Sequence, residues 1–225
     1  MNNMRTIRIT GKGKIKLRPD MTRITITLEG TYPEYNEALR HSAQDTDQIR
    51  DILSVFGFER SDLKTLNFGV DTAYEGYNEN GIYKQKFVGY IYRHHMKVEF
   101  ASDNDRLGKI LYALAHCPVN PEFKLSYTVK DQEAAKNELL GKAVTDAREK
   151  AAVLTQAAGV SLKDIQRIDY SWGQIDFEVR PMSRNMLTEA KADSLSASLS
   201  ASYDVDIEPD DIEVSDNVTV VWEIL

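Results

Sequence analysis

The chain has 225 residues, 42% of them hydrophobic and 28% charged, enough for a substantial core in one large domain or two small ones. Its 28 basic and 35 acidic side chains leave a net charge of −7, which speaks against general nucleic-acid binding, although a local basic stripe can survive an acidic average. A single cysteine, Cys117, excludes an internal disulfide. The opening "MNNMRTIRIT" has no apolar signal core, and no stretch is apolar enough to span a membrane, so the expected location is cytoplasmic.

The first element is "ITGKGKIKL". Ile7, Ile9, Gly11, Gly13, Ile15 and Leu17 fall on one side of a period-2 pattern, and Thr6, Arg8, Thr10, Lys12, Lys14 and Lys16 on the other. Alternation resumes after Pro19-Asp20, with Ile24, Ile26 and Leu28 against Arg23, Thr25, Thr27 and Glu29. Two half-buried antiparallel strands joined by a Pro-Asp turn, a basic hairpin, are predicted. A helix follows over 36–56, with a stripe of Ala38, Leu39, Ser42, Ile49, Ile52, Leu53 and Phe56, and Gly57 placed to end it.

Residues 63–100 read as two long strands joined at Asn80-Gly81, a hairpin signal. On the second strand Tyr90, Tyr92, His94, Met96, Val98 and Phe100 share one face, and Arg93, His95, Lys97 and Glu99 the other. A short helix is expected after Ser102, with Ser102 and Asp105 at capping-box spacing; Leu107, Ile110, Leu111 and Leu114 form its core stripe, and prolines follow. A strand over 122–129 leads to a helix capped by Asp131 and stopped by Gly159. Its inward residues are read as Leu140, Val144, Ala147, Ala151, Leu154 and Ala158. Strands at about 163–177 and 212–224 complete the series.

The exits of the two longer helices match. "GFERSDLKTLNF" starts at Gly57 and "GVSLKDIQRIDY" at Gly159, pairing Leu63 with Ile165, Leu66 with Ile168 and Phe68 with Tyr170. The expectation is a single α+β domain, 1–225, built from two β-α-β-β pseudo-repeats at about 21–100 and 122–225, with helices on an antiparallel or mixed sheet. The Ser/Ala-rich stretch 180–210 reads as a flexible loop, or as an arm that orders against a partner subunit.

"ITGKGKIKLRPDMTRITITLEG", "GYIYRHHMKVEF", "AAGVSLKDIQRI" and "IEPDDIEVSDNVTVVWEI", in this order and spacing, resemble the SIMPL-domain family over about residues 5–225. That family includes bacterial oxidative-stress defence proteins and periplasmic immunogenic proteins. The resemblance implies an α+β fold, self-assembly in some members, and a role in stress defence or scaffolding. It supplies no catalytic residues.

Chemistry is sparse. "GKGKIKL" lacks the G-x-x-x-x-G-K-[ST] spacing of a phosphate loop, so Gly11 and Gly13 are read as allowing a bulge or a close backbone crossing. The row Arg8, Lys12, Lys14, Lys16 and Arg23 is read as a solvated face that discourages edge aggregation. His94 and His95 are neighbours on a strand and point to opposite faces, so they cannot share a metal. His94 is read as a satisfied core or interface histidine. His116-Cys117 lacks the spacing of a zinc site. No catalytic, cofactor or metal residues are therefore assigned, and no cofactor is expected. Tyr74, Tyr77, Tyr83 and Phe87, clustered near the hairpin tip, are assigned to an interface, and a homo-oligomer is expected. The leading reading is a non-enzymatic, self-assembling protein. One rival is an enzyme or small-ligand binder using a cleft between the two repeats. The other is a polyanion binder using the basic hairpin, recognisable by a continuous positive surface; nucleic acid is not expected.

Overall fold

The computed structural model describes residues 5–170, 175–180 and 207–225. Most of the loop expected at 180–210 lies outside them. The chain divides into two compact units: residues 1–20, 128–179 and 210–225 form unit 1, and residues 21–127 and 180–209 form unit 2. Each contains antiparallel strands with helix packed against them, the α+β class read from the sequence.

Unit 1 holds β1 (Thr6–Leu17), α3 (Gln132–Ala157), β6 (Leu162–Asp169) and β7 (Ile212–Ile224). The strand order is β1-β7-β6. β1 and β7 pair along their whole length, from Thr6 opposite Glu223 to Leu17 opposite Ile212. This corrects the expected N-terminal hairpin. Alternation specifies which side of a strand is buried and says nothing of its partner. Pro19-Asp20 is a joint between two sheets: the Asp20 amide donates to the Thr128 carbonyl at 3.1 Å, and the Lys130 amide donates to the Asp20 carboxylate at 2.8 Å.

The glycines of β1 explain how α3 packs. A Cβ on Gly11 would lie 2.0 Å from the Ala143 carbonyl oxygen and 2.4 Å from the Ala147 nitrogen, and one on Gly13 would lie 2.1 Å from the Leu139 oxygen. The helix backbone rests directly on the strand, the close crossing that the paired glycines suggested. Such contact requires small residues on the helix as well. The buried face is Ala135, Leu139, Ala143, Ala147, Ala151 and Thr155, which corrects the expected stripe; Leu154 is half exposed and Leu140 and Val144 only flank the core. The core is completed by Ile9, Val218, Val220 and Trp222 toward one end, and by Ile15, Val129, Phe177 and Ile212 toward the other.

Unit 2 holds β2 (Met21–Tyr32), α1 (Tyr35–Val55), β3 (Lys64–Glu79), β4 (Ile82–Ala101), α2 (Asn104–Ala115) and β5 (Glu122–Thr128, whose last residue is counted with unit 1), with strand order β3-β4-β2-β5. β5 thus joins the sheet of β2. Ile24, Ile26 and Leu28 from β2 meet Tyr92, Met96, Val98 and Phe100 from β4 in a core closed by Ile49 and Leu53 of α1 and Leu107, Ile110 and Leu114 of α2. The cap of α2 is Asp103, which accepts from the Arg106 amide at 3.0 Å, in place of the expected Ser102; the Ser102 hydroxyl accepts from Thr22. Helices α1 and α3 end alike. Gly57 and Gly159 have φ of 79° and 68°, and the following amides of Phe58 and Val160 reach back to the carbonyls of Leu53 and Thr155. Both are Schellman ends, with glycine where a left-handed residue is needed.

Candidate functional site

Three features of the two units are candidates for function: an extended arm, a basic strand face and a groove. The arm belongs to unit 2. β3 and β4 are 16 and 20 residues long, far beyond a usual strand of about 5–6. They turn at Asn80-Gly81, where φ values of 53° and 80° match the hairpin turn expected of that dipeptide. β2 pairs with β4 only as far as Tyr32 opposite Tyr90. Beyond that point β4 pairs, among the described residues, with β3 alone, and a register shift between Ala73 and Tyr74 marks where this two-stranded ribbon begins.

The four assigned residues lie on this ribbon and are exposed: Tyr74 57%, Tyr77 44%, Tyr83 67% and Phe87 45%. Pairing places Tyr74 opposite Phe87, Gly76 opposite Gln85 and Asn78 opposite Tyr83, so these six share one face. That face carries no charge. Tyr74 meets Phe87 edge to face at 5.7 Å, Phe87 meets Tyr90 at 5.5 Å, and Tyr90 meets Tyr35 at 5.6 Å, while the Tyr83 ring covers Gly76. Tyr77 is separated from the other three. It lies opposite Lys84 on the second face, with the pairs Glu75–Lys86 and Glu79–Ile82. An ion pair joins Lys84 to Glu79. The ribbon is therefore amphipathic, with one uncharged aromatic side and one charged side.

The basic strand face belongs to unit 1. Its cations are opposed by acids at both ends: Arg8 is 3.7 Å from Asp169, and Lys16 lies 3.4 Å from Asp211 and 3.5 Å from Glu213. Hydrogen bonding to Asp211 pushes the Lys16 ammonium above its ordinary range. Among the described residues only Lys12 and Lys14 of this row make no ion pair, while the Lys12 backbone amide donates to Asp146 of α3 at 2.6 Å. Arg23 belongs to unit 2 and pairs with Glu99. The continuous positive surface that would mark a polyanion binder is interrupted.

The groove lies within unit 2, between α1 and the start of β3, and has a volume of about 430 Å³. His94 forms its floor. The Thr46 hydroxyl donates its only proton to the Ser42 carbonyl at 2.7 Å, so at 2.9 Å from His94 Nδ1 it acts as acceptor. Nδ1 therefore carries the proton, and Nε2 accepts from the Thr65 hydroxyl at 2.9 Å. The ring is neutral, and burial, with help from Arg50 and His95, holds its pKa below the ordinary histidine value. Phe68 stands edge to face with it at 5.2 Å. A register shift in β3 between Thr65 and Asn67 accompanies this placement of Thr65 and Phe68 around the ring. His94 is thus the satisfied histidine that the sequence suggested, but it also lines a groove. On the groove wall, one oxygen of Asp47 accepts from Arg50 Nη1 at 2.9 Å and Arg60 Nη2 at 2.8 Å. The bond from Arg50 holds the Asp47 carboxyl below its usual range. Sequence reasoning missed this cluster, because Asp47, Arg50, Arg60 and Thr65 have no motif spacing.

A profile of the SIMPL family, described as a protein of unknown function (DUF541), matches residues 7–222. The chain is also similar to the 26 kDa periplasmic immunogenic proteins of Brucella melitensis biotype 1 and Brucella abortus strain S19. Each is 26% identical over 163 residues, a stretch covering 72% of this chain and 65% of the relative. The matched region thus spans just under two thirds of the length of these curated relatives. Both are named as periplasmic, which overturns the cytoplasmic expectation drawn from the opening residues.

Proposed function

The chain belongs to the SIMPL family, and from that premise we propose that it is a periplasmic, non-enzymatic scaffold that works by self-assembly, with the β3–β4 arm as the contact between copies. The periplasmic element follows the names of the two relatives. A stress-defence role would rest on the family alone. The observation that carries the assembly reading is the arm itself. A two-stranded ribbon is marginal in water, and this one exposes an aromatic face and, among the described residues, two unpaired strand edges. Its charges suggest how copies would meet. β3 bears Asp71, Glu75 and Glu79, and the free part of β4 bears Lys84 and Lys86. Edge pairing of β3 with another β3 would set like charges side by side. Pairing β3 of one copy with β4 of the next sets acid beside base, a heterologous contact that propagates into a ring or a fibre.

Light scattering tests this. Wild-type protein at high micromolar concentration is expected to exceed the 25.5 kDa of one chain. Replacing Tyr77, Tyr83 and Phe87 together with Ser is expected to lower the assembly state without changing the circular dichroism of the subunit. A wild-type protein that stays monomeric, or a triple variant that assembles unchanged, refutes the reading.

A further inference from the structure

The groove of unit 2 presents a chemistry that self-assembly does not use. We propose that it binds a small organic monocarboxylate, held at its oxygens by Arg50 and Arg60 and resting its hydrocarbon body on Phe68.

The charge balance comes first. Two guanidiniums face one carboxylate, Asp47, and His94 is neutral, so the wall carries one net positive charge in a protein whose net charge is −7. A single Asp47 oxygen serves both arginines. Arg50 Nε is buried and has no hydrogen-bond partner among the described residues. That nitrogen is closed off from the groove, so the contact falls to the guanidinium ends, whose planar fork is suited to a pair of oxygens. With 71% of its side chain exposed, Arg60 has donors open to a second carboxylate. An incoming carboxylate would draw Arg60 toward itself and leave Asp47 on Arg50, so no charge is stranded.

Shape then selects the body of the ligand. Across the groove from α1, on β3, is Phe68, 43% exposed and held against His94. A large apolar group beside a charged wall favours an amphipathic ligand over a bare ion. A doubly charged phosphate would also meet the Asp47 carboxylate without a matching second charge. The Thr65–His94–Thr46 chain fixes the floor of the groove. Its volume falls in the usual range for small-molecule pockets, about 300–1,000 Å³.

The test is calorimetric titration of the full chain with benzoate, with benzamide, which has a similar shape and no charge, and with inorganic phosphate. Saturable benzoate binding is expected, with benzamide and phosphate at least about tenfold weaker. Arg60→Gln, a change at an exposed side chain, should weaken benzoate at least about fivefold. Phe68→Ala should weaken benzoate as well. Equal binding of benzoate and benzamide, phosphate binding as tight as benzoate, no benzoate binding, or an Arg60→Gln affinity equal to wild type each overturns the proposal. The same titration on the Tyr77, Tyr83, Phe87 triple variant should give the wild-type affinity, which separates this site from the assembly contact.

Discussion

Replacing Gly11 with Ala adds one methyl group where β1 and α3 have no room for it. The new carbon would be 2.0 Å from the Ala143 oxygen, and ordinary contact begins at 3.4 Å, so helix and strand must part by about 3.4 − 2.0 = 1.4 Å. The obstructing atoms are helix backbone, with no rotamer to turn aside. Parting them lifts Ala143 and Ala147 away from Val218, Val220 and Trp222. Overpacking of this kind costs about 1–3 kcal/mol, and rigid backbone puts Gly11 at the upper end. Loss of unfolded-state freedom returns about 0.4–1 kcal/mol, because Gly11 has an ordinary strand backbone. The net expectation is a destabilisation of about 2 kcal/mol, or a fall of on the order of 1 M in the urea midpoint at a slope of about 1–3 kcal/mol per M. Gly141→Ala is the control. It lies within α3, nothing stands within 4 Å of its added carbon, and a helical Gly-to-Ala change stabilises by about 0.5–1 kcal/mol. Urea unfolding followed by tryptophan fluorescence reads both variants. A Gly11→Ala midpoint at or above wild type would refute the direct strand–helix contact.

His94→Gln keeps a donor for Thr46 and an acceptor for Thr65 while removing the titration. The unfolded histidine takes up a proton below about pH 6.5, whereas the folded one resists until a lower pH. Wild type should therefore lose stability relative to the variant as pH falls from about 6.5 toward the folded pKa, with no such difference above that window. Parallel urea curves at pH 7.5 and 5.5 decide it, and an equal gap at both would sink the argument. Asp131 accepts from the Ala134 amide at 2.8 Å as the cap of α3, so Asp131→Ala should cost about 1 kcal/mol in the same assay. Cys117 is buried among the core residues of unit 2, and its thiol should react with a disulfide reagent only after urea unfolding. Rapid labelling of native protein would contradict that burial.

Local features were legible in the sequence where local chemistry decides them. Asn80-Gly81, the Gly57 and Gly159 helix ends, the Asp131 cap and the buried face of β4 depend on neighbours a few positions away. What failed was partner choice. The alternation of β1 suited a hairpin with β2 as well as its actual pairing with β7, because both give it one buried face. The inner side of α3 was misread because Leu140, Val144 and Leu154 are larger than the residues that face the core. The glycines opposite select for size, and only their position in space reveals it. The groove was invisible because Arg60 reaches Asp47 from a loop beyond the helix end. The two-repeat reading is likewise a proposal about space. On the observed strand orders, the counterpart of β2 in the second copy would be β1 in place of β5, since β1 pairs with β7 as β2 pairs with β4.

Thr10 and Thr219 join their hydroxyls at 2.8 Å across the β1–β7 seam, 209 positions apart in the chain. A chain made from its N-terminus therefore has β1 long before it has β7, while all the described elements of unit 2 are encoded between them. Unit 2 can assemble from segments that follow one another closely. Unit 1 must hold an open strand, two glycines and a row of lysines until its partner arrives. Closure of so long a loop is slow compared with local folding. Lysines that discourage edge pairing would act already before the protein is folded, when β1 has no neighbour and any other strand could take the place of β7, as well as afterwards, when β1 is still an edge strand.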